Sequence, residues 1–369
     1  MAAEKMVSNP SNDGLSWALG LMSGTSLDGI DAALIRSDGL TRVESGHFLS
    51  LPYDGELRRQ LRSVLGGQGP VEAVERALTL RHAEVVDSLL KTAGRSPRDI
   101  RVIGFHGHTI LHRPEERRTW QIGDGSLLAS ETGIDVVSDM RSRDVSLGGE
   151  GAPLVPLYQA ALAAALPRPL AVVNIGGVAN VTWIGEGRDS VLAFDTGPGN
   201  ALINDWVEAH SGEPLDRDGA LARAGVVDEG LLEDLLNNAY FDRQPPKSLD
   251  RDDFSTAPVK ALSLEDGAAT LTAFTAASIA RSAGYFPQPV GRWLITGGGR
   301  HNPVLMAALA ERLQAPVDPV EAVGWQGDVL EAQAFGYLAL RSLAGLPLTL
   351  PGTTGVREAA SGGRHHIAA

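Results

Sequence analysis

One order of secondary-structure elements occurs twice along the 369-residue chain, and it limits the fold more than any single motif does. Near residue 15 the pattern predicts three strands in succession, then helix and a further strand. The same order starts again near residue 170, and each copy carries a glycine-rich polar turn. A chain of this length exceeds what one hydrophobic core usually supports. The sequence therefore predicts two similar α/β domains.

The predicted domain boundary lies in a loop rich in Gly, Arg and Asp, at residues 141–153. The first domain then spans residues 15–143 and the second spans residues 144–342, and we expect residues 343–369 to pack back on the first. Within that last segment, the small and polar residues 359–369 are typical of a disordered chain end. Residues 245–258 are polar and contain proline, which predicts an exposed loop.

Composition argues against several classes of protein. The net charge of -13 disfavours nonspecific nucleic-acid binding, which depends on neutralising phosphates. No apolar run reaches the roughly 20 residues of a membrane helix, and residues 1–13 lack the apolar segment of a signal peptide. There are no cysteines, so disulfides and thiolate zinc sites are excluded. We therefore expect a cytoplasmic protein that binds neither nucleic acid nor membrane.

The turn between the first two predicted strands carries an unusual number of hydroxyl and carboxylate groups. It reads Gly24-Thr25-Ser26-Leu27-Asp28-Gly29, with Ile30 and Asp31 following. Glycines let a backbone approach a ligand closely, and the N–H groups of such a turn form a nest for anionic oxygens. Asp28 or Asp31 is suited to holding Mg²⁺ through water. The alternative is a hairpin whose polar side chains satisfy their own backbone, and the local residues leave the two interpretations even.

The corresponding turn in the second half reads FDTGPGN, at residues 194–200. A strand delivers Asp195 to its carboxyl end, where ligands of α/β folds gather. A carboxylate at that place is suited to act as a general base. The alternative is that Asp195 caps the turn. We favour the base because Asn200 already occupies the position of a helix N-cap.

Three further segments carry candidate site residues. Gly297, Gly298 and Gly299 follow a predicted strand, which suits either a flat ligand lying on the backbone or a tight turn. His106 and His108 favour a polar cluster at a sugar pocket or plain loop histidines over a metal site, because no third ligand stands at standard spacing. The remaining candidates are Arg141 and Arg143 for carboxylate recognition, and Glu331 in the first turns of an apolar helix.

Together these segments resemble the anhydro-N-acetylmuramic acid kinases, which belong to the sugar kinase/actin-like ATPase superfamily. The resemblance runs from about Leu19 to Gly355, and the joint order of its motifs is highly specific. The segments that carry it are GLMSGTSLDGID, GFHGHTILHRP, QIGDG, DMRSRDVSLGGEGAPLVP, NIGGVANVT, FDTGPGN, PPKS, ATLTAFTAASIA, ITGGGRHNPVLM, EAQAFGYLALR and LPGTTG.

The resemblance implies an α/β fold of two actin-like/ribonuclease-H-like domains, each with a mixed sheet, and an ATP cleft between them. It implies Asp195 and Glu331 as catalytic residues, ATP and Mg²⁺ as cofactors, and a homodimer. Residues implied to contact the sugar are His106, Arg141 and Asp144. Residues implied to contact ATP are Gly24, Thr25, Ser26, Leu27, Asp28, Gly29, Ile30, Asp31, Gly197, Gly199, Asn200, Gly297, Gly298, Gly299 and Asn302.

The implied reaction opens the 1,6-anhydro ring of 1,6-anhydro-N-acetylmuramic acid with water and phosphorylates O6, which gives N-acetylmuramic acid 6-phosphate. The alternatives are a kinase for another anhydro sugar such as levoglucosan and a noncatalytic, nucleotide-gated sugar-binding module. The chain departs from the family pattern at a few positions. His108 and Glu150 replace Gln, Asn204 replaces Asp, and Leu249-Asp250 replaces Thr-Gly.

Overall fold

The computed structural model describes residues 13–24, 27–187 and 189–369. The chain divides into two compact units: the described residues up to Ala164 together with Val329–Ala369, and Ala165–Asp328. Residues 144–164 and 329–342, which the sequence analysis assigned to the second domain, therefore group with the first unit. Among the described helices, none is both long and apolar enough to cross a membrane.

The strands lie in chain order as follows: β1 (Ser16–Ser23), β2 (Gly29–Ser37), β3 (Val43–Pro52), β4 (Ile100–Arg113), β5 (Arg118–Ile122), β6 (Val136–Ser138), β7 (Leu170–Ile175), β8 (Val178–Ile184), β9 (Val191–Pro198), β10 (Trp293–Thr296), β11 (Val317–Pro319) and β12 (Arg364–His366). The helices are α1 (Gly55–Ser63), α2 (Val71–Thr92), α3 (Gly125–Thr132), α4 (Ser142–Ser146), α5 (Pro156–Leu162), α6 (Ala201–Ser211), α7 (Ala220–Ala224), α8 (Glu229–Leu236), α9 (Leu264–Ser282), α10 (Pro303–Arg312), α11 (Leu330–Leu343) and α12 (Pro351–Thr354).

Each unit contains a mixed sheet, and the two sheets share one topology. In the first unit the order is β12-β6-β4-β1-β2-β3, with β5 added to β4; in the second it is β11-β10-β7-β8-β9. The first three strands of each unit pair antiparallel. In the first unit β4 pairs parallel with β1, and β6 pairs parallel with β4. In the second unit β10 pairs parallel with β7, and β11 pairs parallel with β10. The predicted fold of two similar α/β domains is confirmed.

Helix α11 lies directly on the sheet of the first unit because glycines face it. Gly20 on β1 and Gly104 on β4 are paired neighbours in the sheet. A Cβ at Gly20 would lie 1.7 Å from the carbonyl oxygen of Ala332, and one at Gly104 would lie 1.9 Å from that of Phe335. No side chain fits at either glycine. This close approach places the first turn of α11, which carries Glu331, beside the end of β1.

The cores follow from the periodicity of the helices that cover the sheets. Along α2, apolar residues recur at helical spacing, and Leu78, Val85 and Leu89 are buried in the core of the first unit. In the second unit α9 is rich in Ala and Thr, and Phe274 and Ile279 are fully buried. Ser263 caps α9 by accepting a hydrogen bond from a backbone N–H of its first turn.

His106 and His108 lie in β4, which runs to Arg113 and turns back as β5, so they are not loop histidines. The prediction of a disordered chain end was wrong. The chain end is ordered, because β12 pairs antiparallel with β6. The His366 ring lies 2.9 Å from the hydroxyl oxygens of Ser126 and Ser138, one on each ring nitrogen, which fixes the strand to α3 and β6. Side-chain hydrogen bonds that composition does not reveal account for this order.

Candidate active site

The polar turn of the first unit joins β1 to β2, and Thr25 and Ser26 fall outside the described residues. The N–H of Leu27 donates to the carbonyl oxygen of Gly24 at 3.1 Å, and Leu27 has a φ of +60°. The side chains of Leu27 and Ile30 are buried in the hydrophobic core. Only the backbone of these two residues is therefore available to a ligand, and the role of the turn as a phosphate cradle stays a prediction.

The two carboxylates of this turn differ in setting. Asp28 is exposed, and its carbonyl oxygen accepts the N–H of Tyr53 at 3.0 Å. Asp31 is half-buried on β2 and accepts a hydrogen bond from the Ser50 hydroxyl at 2.5 Å. Asp31 therefore contributes to the contact between β2 and β3, while Asp28 leaves its carboxylate toward solvent.

A hydrogen-bonded group of three side chains fixes the end of β1 next to the turn. Ser23 Oγ lies 2.9 Å from His108 Nδ1 and 2.5 Å from the Tyr53 hydroxyl. Burial lowers the pKa of His108 to about 4, so this ring is neutral at physiological pH. His108 stands where the family pattern has Gln, and a neutral imidazole supplies the same kind of uncharged hydrogen-bonding partner to Ser23.

The half-buried Arg141 pairs with the buried His106 in the first unit. Arg141 donates to His106 Nε2 from Nε at 3.1 Å and from a terminal nitrogen at 3.0 Å, and it donates to the Gly151 carbonyl oxygen at 2.6 Å. Since Nε2 accepts, the imidazole proton is assigned to Nδ1, which lies 2.9 Å from the Gly107 carbonyl oxygen. Burial, and then the Arg141 charge, hold the pKa of His106 well below its usual range.

The charge on Arg141 faces carboxylates of the same unit. Burial lowers the pKa of Arg141 to about 10, whereas Glu331 and Asp144 act in the opposite direction. Glu331 is half-buried in the first turn of α11. Of the predicted site residues, Arg141 therefore contacts His106 directly, and the charge of Glu331 acts on Arg141. Arg143, two positions along, is exposed.

Asp144 makes the contacts of a loop anchor. Its carboxylate accepts hydrogen bonds from the hydroxyls of Thr349 at 2.5 Å and Thr354 at 2.7 Å, and from the Gly151 N–H at 2.7 Å. These bonds fasten the Gly-rich loop after α4 to the LPGTTG segment. Because both carboxylate oxygens are occupied in this way, a direct contact of Asp144 with sugar stays a prediction without support from its geometry.

Asp195 lies on β9 of the second unit, and backbone groups of residues 247 and 249 hold it. Its N–H donates to the Lys247 carbonyl oxygen at 3.0 Å, and its Oδ2 accepts the Leu249 N–H at 2.8 Å. The Tyr240 hydroxyl donates to the Asp195 carbonyl oxygen at 2.5 Å. The strand continues to Pro198, so Asp195 is fixed within a ladder rather than released into the turn. A half-buried, oriented carboxylate is what a general base needs.

Asn200 occupies the N-cap position of α6, but its side chain makes no cap hydrogen bond. Its amide instead donates to the Ile175 carbonyl oxygen at 3.0 Å, and its N–H donates to the Gly176 carbonyl oxygen at 2.7 Å. Asn200 thus stands at the predicted N-cap position, but the side-chain cap is absent because the amide is turned toward Ile175. Gly199 is held in the same way, through its N–H to Gly177 at 2.9 Å.

The glycine turn after β10 lies next to Asn174 and Asn200. A Cβ at Gly297, whose φ is +75°, would lie 2.4 Å from the Asn174 side-chain oxygen, so only glycine fits. Gly298 faces open space, since the nearest atom to a Cβ there is the Asn200 amide nitrogen at 3.8 Å. The second unit therefore presents bare backbone beside Asn200, a surface on which a flat ligand can lie.

Asn302 and Gly197 of the second unit, which were predicted to contact ATP, make structural contacts within the protein. Asn302 caps α10, and its side-chain oxygen accepts the N–H groups of Val304 and Leu305 at 3.0 and 3.1 Å. A Cβ at Gly197 would lie 2.7 Å from the Ser278 hydroxyl oxygen, so this glycine serves the packing of β9 on α9. Contacts of either residue with ATP stay predictions.

Sequence reasoning missed three contributors of the second unit. Gly176 and Gly177 supply the acceptors under Asn200 and Gly199, and the signal was a Gly-Gly pair directly after a strand. The Leu249 N–H orients Asp195. Because this donor is a backbone group, no pattern of side chains in the sequence could have predicted it. The PPKS segment was expected in an exposed loop, whereas Lys247 is only 5% exposed. The prediction of an exposed loop was wrong at Lys247, because aromatic rings cover the lysine, whereas residues 250–253 are exposed as expected.

Comparison with known proteins places the chain in a family. The family model for anhydro-N-acetylmuramic acid kinase matches residues 16–367. The protein named anhydro-N-acetylmuramic acid kinase from Paramagnetospirillum magneticum is 61% identical, covering 95% of this chain and 99% of that relative. The one from Rhodospirillum rubrum is 56% identical, covering 97% and 96%.

Among solved structures, component A of the (R)-2-hydroxyglutaryl-CoA dehydratase from Acidaminococcus fermentans covers 89% of this chain and 99% of its own, at 14% identity and a TM-score of 0.46. The family model covers nearly the whole chain, and the relatives match along nearly their whole length. The chain therefore belongs to the anhydro-N-acetylmuramic acid kinase family.

Proposed function

We propose that this chain uses ATP and water to convert 1,6-anhydro-N-acetylmuramic acid into N-acetylmuramic acid 6-phosphate. Identity of 61% over 95% of the chain to a relative with that kinase name supports the proposal. The observation that carries it is the setting of Asp195, whose carboxylate is oriented by the Leu249 N–H at 2.8 Å. The presence of both Asp195 and Glu331 argues against a noncatalytic binding module, which would not need the two carboxylates together.

The substrate dictates what the protein must supply. In a 1,6-anhydro sugar, O6 is bonded to C1 and carries no proton, so no base can activate it directly. Water must attack C1 while the C1–O6 bond breaks, and O6 then bonds to the γ-phosphorus as ADP departs. One proton of the water is left over. We assign its acceptance to Asp195 and the placement of the water to Glu331.

The carboxylate of Asp195 receives a hydrogen bond from Leu249 on one oxygen. This bond fixes one oxygen and so holds the other in a defined direction. In the first unit, Arg141 is suited to bind an anionic or hydroxyl group of the sugar. Its guanidinium is fixed by His106 and Gly151, so little side-chain entropy is lost on binding.

The residues present fit ATP and Mg²⁺. The bare backbone at Gly298 beside Asn200 offers a flat face for a nucleoside, and Asp28 offers an exposed hard-oxygen ligand. Among the described residues no three His, Asp or Glu side chains converge as a metal site. When bound, Mg²⁺ would neutralise phosphoryl charge, with phosphate oxygens and water among its ligands.

The proposed setting is the cytoplasm, where ATP is available, and the proposed assembly is a homodimer, as the family resemblance implies. Size-exclusion chromatography with light scattering distinguishes a dimer from a monomer directly.

The test compares 1,6-anhydro-N-acetylmuramic acid with levoglucosan as phosphate acceptors in the presence of Mg²⁺ and ATP. We expect one sugar 6-phosphate per ADP with the muramic substrate and much slower turnover with levoglucosan, which lacks the N-acetyl and lactyl groups. Faster turnover of levoglucosan would change the substrate assignment. ADP release without any sugar phosphate would refute the proposed function.

A further inference from the structure

A buried lysine lies directly behind the strand that carries Asp195. Lys247 is 5% exposed, and its ammonium donates to the Tyr240 carbonyl oxygen at 3.2 Å. Three aromatic rings surround the charge, with Nζ at 4.5 Å from the ring centre of Tyr285, 4.6 Å from that of Tyr240 and 5.9 Å from that of Phe194. A desolvated ammonium in such a cage is attracted to the faces of the rings.

The cage is connected to Asp195 through backbone and hydroxyl groups. The Lys247 carbonyl oxygen accepts the Asp195 N–H, and two residues later the Leu249 N–H donates to Oδ2 of the same aspartate. Tyr240, whose ring and carbonyl oxygen hold the ammonium, donates its hydroxyl to the Asp195 carbonyl oxygen. Hydrogen bonds therefore connect the Lys247 ammonium to Tyr240, Tyr240 to Asp195, and Asp195 back to the backbone of Lys247.

We propose that Lys247 is a positioning residue for the reaction: its caged ammonium anchors the 247–249 segment so that the Leu249 N–H orients the carboxylate of Asp195. This inference rests on the proposed function, because it takes Asp195 as the base. Lys247 itself touches neither sugar nor ATP in this account. Its side chain is committed to the cage, on the side of β9 where Phe194 lies.

The anchor explains how a side chain at position 249 can differ from the family pattern without loss of the contact. Leucine stands there in place of the usual threonine, yet the group that meets Asp195 is the backbone N–H. The direction of that N–H depends on the position of the backbone at residue 249. The buried side chain of Lys247, two residues earlier, fixes that position. The identity of residue 249 matters less than the anchor at residue 247.

The electrostatics of the cage agree with an anchor that keeps its charge at neutral pH. Burial lowers the pKa of Lys247 to about 8; the cations Arg243 and Arg281 add to that effect, and Asp242 opposes it. A cavity of about 240 Å³ borders the cage and is lined by Lys247, Phe194, Tyr285 and Arg281 among others. Small amines can reach the site through this space.

The test replaces Lys247 and attempts to restore the charge from solution. We expect Lys247→Ala to lower kcat by about 10²-fold, the effect of a misplaced catalytic group, and to leave the KM for ATP unchanged. Addition of n-propylammonium should restore part of kcat, whereas n-propanol, which has the same shape without the charge, should not. Lys247→Arg should keep most of the wild-type kcat. The matched control is Lys260→Ala at an exposed lysine of the same unit, which should behave as wild type.

The outcomes separate this inference from the proposed function. If Asp195→Asn is inactive and Lys247→Ala retains wild-type kcat, the anchor is refuted and the base stands. If Asp195→Asn retains turnover, the base assignment fails whatever Lys247 does. Should Lys247→Ala not fold, Lys247→Met decides the matter, because methionine fills the cage without charge. Wild-type kcat in a folded Met variant would overturn the proposal, and a loss in kcat alone would support it.

Discussion

A Cβ on Gly20 would lie 1.7 Å from the carbonyl oxygen of Ala332, so the backbone of α11 touches the backbone of β1 with nothing between them. Glu331 precedes Ala332, and its place at the end of the sheet depends on this contact. We therefore expect Gly20→Ala to force α11 outward and to lower the free energy of unfolding by about 3 kcal/mol. Urea unfolding measures the loss.

The matched control is Gly55→Ala in the same unit. A Cβ at Gly55 meets only the end of a flexible arginine, at 3.6 Å, and the residue opens a helix in which alanine is favourable. Its urea midpoint should equal or exceed that of the wild type. A Gly20→Ala variant with the wild-type midpoint would contradict the packing described for α11.

Buried histidines of the first unit make stability depend on pH. Burial lowers the pKa of His82 from 6.5 to about 4, and the ring is fully enclosed. Between these values the unfolded chain binds more protons than the folded chain, so the free energy of unfolding rises with pH in that window. This stability is present above the unfolded value and is lost as the pH falls toward about 4, with His82 contributing about 3 kcal/mol.

Urea unfolding at neutral pH and at about pH 4.5 measures this dependence. In His82→Gln the decrease between the two conditions should be smaller than in the wild type, whatever the baseline cost of the substitution. His47→Gln is the control, because His47 is exposed on β3. Equal decreases in wild type and His82→Gln would show that the buried ring does not titrate as described.

Arg141 donates to His106 through two nitrogens and to Gly151 through a third, an arrangement that lysine cannot reproduce. If the predicted sugar contact is correct, Arg141→Lys should lower kcat/KM for the anhydro sugar by about 10²-fold and leave the KM for ATP unchanged. Arg143→Lys, at the exposed neighbour, should leave both values unchanged. Wild-type efficiency in Arg141→Lys would remove Arg141 from the sugar site.

Particular residues show how far sequence reasoning reaches. The order of elements along the chain, the glycine turns after two of the strands and the position of Glu331 in the first turn of a helix all followed from periodicity and turn residues. Leu249 could not be found in this way, because its contribution is a backbone N–H that tertiary packing aims at Asp195. Lys247 was expected in solvent for a similar reason, since its aromatic partners are distant in sequence. The ordered chain end depends on His366 meeting two serines that only the fold brings near.

The central claim is that Asp195 removes the proton of a water that opens the anhydro ring while O6 is phosphorylated. The most direct measurement runs the reaction in water labelled with heavy oxygen and locates the label in the product by mass spectrometry, with wild type and Asp195→Asn. We expect the wild type to place the label at C1 and phosphate on O6, and Asp195→Asn to bind ATP but form no product. Label in inorganic phosphate without ring opening, or wild-type turnover by Asp195→Asn, would contradict the role of Asp195.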